Sequence, residues 1–147
     1  VVLKANGLMK DRVKILIVED EMPLAMMMVS VLTLQNCDVQ VARNGRKAMA
    51  LAAEKRFDLI AMDIKLPDMT GFELCSELKQ RHISYKTPVI FITASTREDD
   101  IAEVKKRGAV DYLTKPFDAT ELIYKVIYHA KAKLKQKVRV ESEETTT

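Results

Sequence analysis

Four apolar runs in this 147-residue chain stop at residues able to handle a charged ligand. Lys14-Ile15-Leu16-Ile17-Val18 ends in Glu19-Asp20-Glu21, and Phe57-Asp58-Leu59-Ile60-Ala61-Met62 ends in Asp63. Pro88 to Ile92 is followed by Thr93-Ala94, and Val110 to Leu113 leads to Lys115-Pro116. Singly, each residue has a plain structural use. An acidic side chain at a strand-to-helix turn often only caps the helix or meets its dipole, and a lysine before proline is ordinarily a surface residue. Together they describe a site. Carboxylates forced together repel, and a cation nearby relieves that cost. Hard oxygen ligands suit Mg²⁺, which takes one or two carboxylates and fills its other positions with water or phosphate oxygens.

For these residues to meet, the runs must be neighbouring strands. Continuous apolar runs such as Ile15 to Val18 are what a strand buried on both faces of a parallel sheet requires. Asp38-Val39-Gln40-Val41-Ala42 alternates as a further strand. Helical segments separate the strands. Glu21 to about Asn36 carries Leu24, Met28, Val31 and Leu32 at three-to-four spacing. Arg46 to Lys55 follows the break at Asn44-Gly45, and Phe72 to Gln80 follows a loop from Ile64 to Gly71. Arg97 to Arg107 is helical but sparsely apolar, with Gly108 as its stop. Beyond Asp118, placed as an N-cap with Glu121 as its capping-box partner, Leu122, Ile123, Val126, Ile127, Ala130 and Leu134 form an amphipathic stripe. Five strand–helix pairs in alternation predict an α/β, flavodoxin-like (βα)5 three-layer sandwich, with a central parallel five-stranded sheet in order 2-1-3-4-5. Ligands of such sheets bind outside the carboxyl ends of the strands, where the four polar termini converge.

Composition narrows the class. Hydrophobics at 48% are enough for a core, and a net charge of +3 does not announce nucleic acid. No apolar stretch approaches the roughly 18 residues of a membrane span, and Val1 to Lys10 lacks a signal-peptide pattern. Cys37 and Cys75 are far apart and outside any metal-binding spacing. The expectation is one cytoplasmic domain over residues 13–137, with a flexible N-terminal extension over 1–12 and a polar tail or linker stub over 138–147.

The segments Ile15-Leu16-Ile17-Val18-Glu19-Asp20-Glu21, Met62-Asp63-Ile64-Lys65-Leu66-Pro67-Asp68-Met69-Thr70-Gly71, Ile92-Thr93-Ala94 and Asp111-Tyr112-Leu113-Thr114-Lys115-Pro116-Phe117 occur in an order and spacing that resembles the receiver domain of two-component response regulators. The resemblance covers roughly Val13 to Lys135 and is chemotaxis-regulator-like. It implies a phosphorelay module: Asp63 as phosphoacceptor, Glu19 and Asp20 as the acidic pair, and Mg²⁺ held directly by Asp20, through water by Glu19, and by Asp63 and the Lys65 carbonyl. Lys115 would neutralise phosphoryl oxygens beside a cis peptide to Pro116, and Thr93 and Tyr112 would form the switch pair. Phosphoryl transfer asks a protein for in-line alignment and positive charge, which this set supplies. The first acidic position is Glu19 where the family often has Asp, and Lys65 places a long cation at a position where receivers vary.

Partners follow from the same resemblance: a histidine kinase or histidine phosphotransfer protein as donor, and a downstream effector or a homodimer through helix 4, strand 5 and helix 5. Met22 and Met26 beside the acidic turn are candidates to dock the donor, and Tyr124 and Tyr128, one turn apart away from the apolar stripe, are candidates for the output surface. The lysines from Lys125 to Lys137 read as a solvated face, and His82 and His129 as surface residues without partners. Segment Arg97 to Arg107, thin in apolar residues, is the element expected to yield on phosphorylation. A flavin-binding domain would need a Ser/Thr/Gly-rich first turn in place of this acidic one, and an aspartate-nucleophile phosphatase would need Asp-x-Asp there. No helix-turn-helix fits after the last helix, so no direct nucleic-acid contact is expected of this portion, and the lack of an apolar span leaves no membrane contact expected. The alternative is a receiver portion excised from a hybrid histidine kinase or a larger DNA-binding or enzymatic regulator.

Overall fold

The computed structural model describes residues 12–145. The predicted N-terminal extension therefore lies outside the described residues apart from Arg12. Along the chain the elements are β1 (Val13–Val18), α1 (Met22–Leu34), β2 (Cys37–Ala42), α2 (Gly45–Glu54), β3 (Leu59–Asp63), α3 (Gly71–Gln80), β4 (Val89–Thr93), α4 (Glu98–Lys106), β5 (Asp111–Thr114) and α5 (Ala119–Thr145). The strands are parallel in the order β2-β1-β3-β4-β5, as the alternation predicts.

Strand periodicity divides the core into two layers. Ile15, Ile17, Leu59, Ala61, Ile90, Ile92 and Leu113 point to one side, against Met28 and Leu32 of α1 and Leu122, Val126 and Ala130 of α5. Leu16, Val18, Ile60, Met62 and Phe91 point to the other, against Ala48 and Ala52 of α2, Leu74 and Leu78 of α3, and Val104 of α4. Each fully buried aliphatic or aromatic side chain of this kind stabilises the fold by about 1.5–3 kcal/mol. The central strands are buried on both faces, so their polar ends are fixed by the best-packed part of the molecule. α4 buries Val104 alone, matching its sparse apolar pattern.

The helices begin where side chains or ring constraints favour them. Pro23 stands in the first turn of α1, Asn44 Oδ1 accepts from Lys47 N at 2.8 Å, and Thr70 Oγ1 accepts from Glu73 N at 3.1 Å. Asp118 Oδ1 accepts from Glu121 N at 2.8 Å, the cap expected for α5. Gly108, with φ of 80°, ends α4 in the left-handed region, where a side chain is disfavoured.

α5 departs from expectation at its far end. The predicted polar tail, 138–147, is helical as far as Thr145. Its apolar stripe has faded there, but Lys, Gln, Arg and Glu are good helix formers, and Arg139 pairs with Glu143 at 3.6 Å one turn on. Among the described residues no helix is long and apolar enough to cross a membrane.

Candidate functional site

The carboxyl ends of β1, β3, β4 and β5 open onto one groove, lined by Asp20, Glu21, Asp63, Lys65, Thr93, Ser95, Asp100 and Lys115 among others. β1 places Glu19 and Asp20 just beyond Val18, and β3 ends on Asp63 itself. One carboxylate oxygen from each of Glu19, Asp20 and Asp63 lies within 4.8 Å of the others. Lys115 reaches in from beyond β5: its Nζ donates to Asp63 Oδ2 at 2.7 Å and stands 3.3 Å from Glu19 Oε2 and 3.8 Å from Glu21 Oε1. Its peptide bond to Pro116 is cis. Asp63 Oδ1 accepts from the Lys65 amide at 3.0 Å, which turns the following loop back over the site.

Burial sharpens the electrostatics. Glu19 is fully buried, and Asp63 and Thr93 are nearly so. Removal from water pushes the Glu19 carboxyl up to about 7; the Asp63 charge adds to that, while the Glu21 amide and Lys115 oppose it. For Lys115 burial alone would lower the pKa, but the bond and charge of Asp63, with those of Glu19, hold it above its ordinary value. Glu19 Oε2 faces the Lys115 charge at 3.3 Å but accepts no hydrogen bond, although it is fully buried. Three clustered carboxylates, one with a buried oxygen that accepts no hydrogen bond, are a donor set that fits a hard divalent cation such as Mg²⁺.

A family model for the response regulator receiver domain matches residues 15–127. The chain belongs to this family. The response regulator ArlR of Staphylococcus saprophyticus is 38% identical over 113 residues, which are 77% of this chain and 50% of that protein. The probable transcriptional regulator ycf29 of Pyropia yezoensis is 38% identical over 110 residues, 75% of this chain and 50% of its own. The chain thus spans about half the length of the curated relatives it matches. Among solved structures, the chemotaxis response regulator CheY4 of Vibrio cholerae superposes with a TM-score of 0.76 at 31% identity, covering 80% of this chain and 98% of that one. The Francisella response regulator 1452 receiver domain gives 0.77 at 31% identity, covering 82% and 98%. The protein is a receiver domain of two-component signalling, and its acidic group is compatible with the Mg²⁺ that receivers bind.

Within this receiver the remaining site candidates fall in two places. Thr93 is in the groove, its Oγ1 accepting from Ser95 N at 3.0 Å. Tyr112 lies outside it, pairing with Phe91 in the β4–β5 ladder and half-buried over the second core layer. On α1, Met22 is half-buried and Met26 is 53% exposed. Tyr124 and Tyr128 are both exposed, with their rings stacked at 6.1 Å.

Two surface expectations need correction. His129 is not a free surface residue: its Nε2 lies 2.9 Å from Asp111 Oδ2, and its side chain is largely covered. Lys125 is not merely solvated. Its Nζ donates to the Tyr112 carbonyl at 2.7 Å, pairs with Asp111 at 3.4 Å and lies 5.1 Å from the Tyr112 ring centre. Both contacts join α5 to the start of β5 across a turn, and no spacing in the sequence marks them. Ser95 has no motif to mark it in the sequence either; its hydroxyl donates to Asp100 Oδ2 at 2.5 Å and accepts from Arg97 N at 3.2 Å, which closes the loop between β4 and α4.

Proposed function

We propose that this receiver accepts a phosphoryl group on Asp63 from a phosphohistidine of a histidine kinase or phosphotransfer protein, in an Mg²⁺-dependent reaction, and relays it through the face formed by α4, β5 and α5. The observation that supports this best is the meeting of Glu19, Asp20 and Asp63 with Lys115 in one groove. Asp20 would hold the cation directly and Glu19 chiefly through water, with Asp63 and the Lys65 carbonyl completing the protein's share. When bound, Mg²⁺ supplies positive charge to the phosphoryl oxygens and offsets the carboxylates.

A carboxylate oxygen of Asp63 attacks phosphorus; the new P–O bond forms as the P–N bond to the donor imidazole breaks, and the electron pair leaves with the ring nitrogen. Lys115, already 2.7 Å from Asp63, is placed to meet a phosphoryl oxygen. Thr93 Oγ1 accepts from the Ser95 amide, which leaves its hydroxyl hydrogen to donate to the phosphoryl group. Tyr112 then moves inward behind it, which alters the face bearing Tyr124 and Tyr128. Met22 and Met26, on the helix that follows the acidic turn, would dock the donor. A cytoplasmic location accompanies this reading. A second reading, that the same chemistry is the input of a larger DNA-binding or enzymatic regulator or hybrid kinase, is favoured by the half-length match to the curated relatives.

Intact mass after incubation with a small-molecule phosphodonor and Mg²⁺, and in parallel with a phosphohistidine protein, tests the chemistry. One phosphoryl group is gained, and the gain is lost with Asp63→Asn or with chelator. Unmodified wild-type protein under both donors overturns the proposal.

A further inference from the structure

The loop between β3 and α3 is closed upon itself. Gly71 N donates to the Ile64 carbonyl at 2.7 Å, Leu66 N to the Met69 carbonyl at 3.2 Å, and Lys65 and Thr70 form an antiparallel bridge. The two bonds are what make that bridge, and a loop tied by the pair moves as one piece. Its base is the phosphoacceptor, through the bond from Lys65 N to Asp63 Oδ1 at 3.0 Å. Its tip is fastened elsewhere. Asp68 Oδ1 accepts from Gly45 N at 2.8 Å and Oδ2 from Arg46 N at 3.0 Å, so both carboxylate oxygens hold the first turn of α2. Met69 presses beside them: a Cβ on Gly45 would lie 2.4 Å from its sulfur.

Helix capping alone does not explain this arrangement. Asn44 already caps α2 locally through Lys47 N, and Asp68 is 23 residues away from Gly45. Water can satisfy exposed amides at a helix start. What only Asp68 adds is a rigid link between that helix and the loop carrying Lys65, made by charge-assisted bonds aligned with the helix dipole.

We propose that Asp68 is a positioning residue for the phosphoacceptor site: by pinning the loop tip to α2 it fixes Lys65, whose amide holds Asp63 and whose carbonyl would be a ligand of the cation. This rests on the Mg²⁺ site proposed above. Asp68 touches neither phosphate nor metal in this arrangement; it acts through the loop.

Asp68→Ala, Asp68→Asn and Asn44→Ala separate positioning from capping. Two readouts are taken: amide hydrogen exchange at Lys65 without metal, and the Mg²⁺ dissociation constant by calorimetry. Asp68→Ala speeds exchange at Lys65 and weakens Mg²⁺ about tenfold, the scale of losing an outer support of a metal ligand. Asp68→Asn, which keeps an acceptor oxygen, falls between it and wild type. Asn44→Ala uncaps the same helix and lowers Tm by about 3 °C, yet leaves both readouts at wild-type values. Wild-type protection and affinity in Asp68→Ala overturn the proposal, and so does an equal loss in Asn44→Ala. If wild type binds no Mg²⁺ the metal site itself falls, while exchange at Lys65 still decides whether Asp68 positions the loop.

Discussion

Lys115 Nζ lies 2.7 Å from Asp63 Oδ2, a contact made across 52 residues of chain. Two strands of one parallel sheet bring the pair together, since β3 ends on Asp63 and the chain leaves β5 toward Lys115. The ammonium offsets the crowded carboxylates in the absence of a metal. It also points where phosphoryl charge would arrive, so stability and chemistry meet in one side chain.

Replacing it separates those roles. Lys115→Met keeps the length of the side chain and removes the charge. Phosphorylation by a small-molecule donor should slow about a hundredfold, the scale of losing one preorganised charge stabiliser. Mg²⁺ binding should persist, because none of the cation's proposed ligands is touched. A donor reaction at wild-type rate would remove Lys115 from the chemistry; mass spectrometry of the time course decides it.

Two glycines near the site predict unequal costs. A Cβ on Gly71 would lie 2.6 Å from the Asp63 carbonyl oxygen, which is backbone and cannot swing away. A Cβ on Gly45 meets the flexible Met69 thioether. Gly71→Ala should therefore cost about 2–3 kcal/mol and impair phosphorylation, whereas Gly45→Ala should cost less, about 1–2 kcal/mol, as Met69 changes rotamer. Urea unfolding of the two variants tests the ranking.

How much of this was legible in sequence depends on whether a contact has a periodic signal. Buried parallel strands read as unbroken apolar runs, and their ends mark the site; Glu19, Asp20, Asp63, Thr93 and Lys115 were legible for that reason. Asp68, Lys125 and His129 were not. They bond to Gly45, Tyr112 and Asp111 over separations of 23, 13 and 18 residues, from positions whose polar pattern reads only as surface. The end of α5 was misread because apolar periodicity fades before helix propensity does.

Asp111 predicts a pH dependence. Burial opposes its ionisation, but bonds from His129 and the Tyr112 amide, with the Lys125 charge, hold its carboxyl below the ordinary range. A carboxyl depressed in the folded state stabilises above the unfolded pKa of about 4 and loses that stabilisation as pH falls through the folded value. Asp111→Asn should therefore have a lower Tm than wild type at pH 6, with the gap closing as pH falls below the unfolded pKa of about 4. A constant gap across the titration would assign the difference to packing.

Both cysteines should resist thiol reagents in the folded protein. Burial raises the Cys75 thiol to about 11 against the weaker pull of Lys79 and Arg107, and raises Cys37 as well. Cys75 also contacts the Met62 sulfur at 3.7 Å, and Cys37 is 2% exposed. Only the thiolate reacts. A disulfide reagent at mildly alkaline pH should label neither site at the rate of a free thiol, and both should react at once in denaturant. Rapid native labelling of Cys75 would show that α3 opens readily beside β3.

Met26 offers a test of donor recognition that leaves the chemistry intact. At 53% exposure it contributes little to the core, unlike Ala25 and Met28, which are fully buried beside it. An apolar side chain left in water on the helix that follows the acidic turn has surface to gain by docking, and Met adapts to a partner helix better than a branched residue does. Met26→Ala should leave Tm within about 1 °C of wild type, as is usual for exposed positions. Phosphorylation by a small-molecule donor should be unchanged, since no ligand of the proposed site moves. Transfer from a cognate phosphohistidine protein should slow about threefold to tenfold, a loss of about 0.7–1.4 kcal/mol that matches the apolar area one methionine can bury at an interface. Equal rates from both donors in the variant and wild type would place the docking surface away from α1; slowing with both would mean that α1 shapes the groove itself.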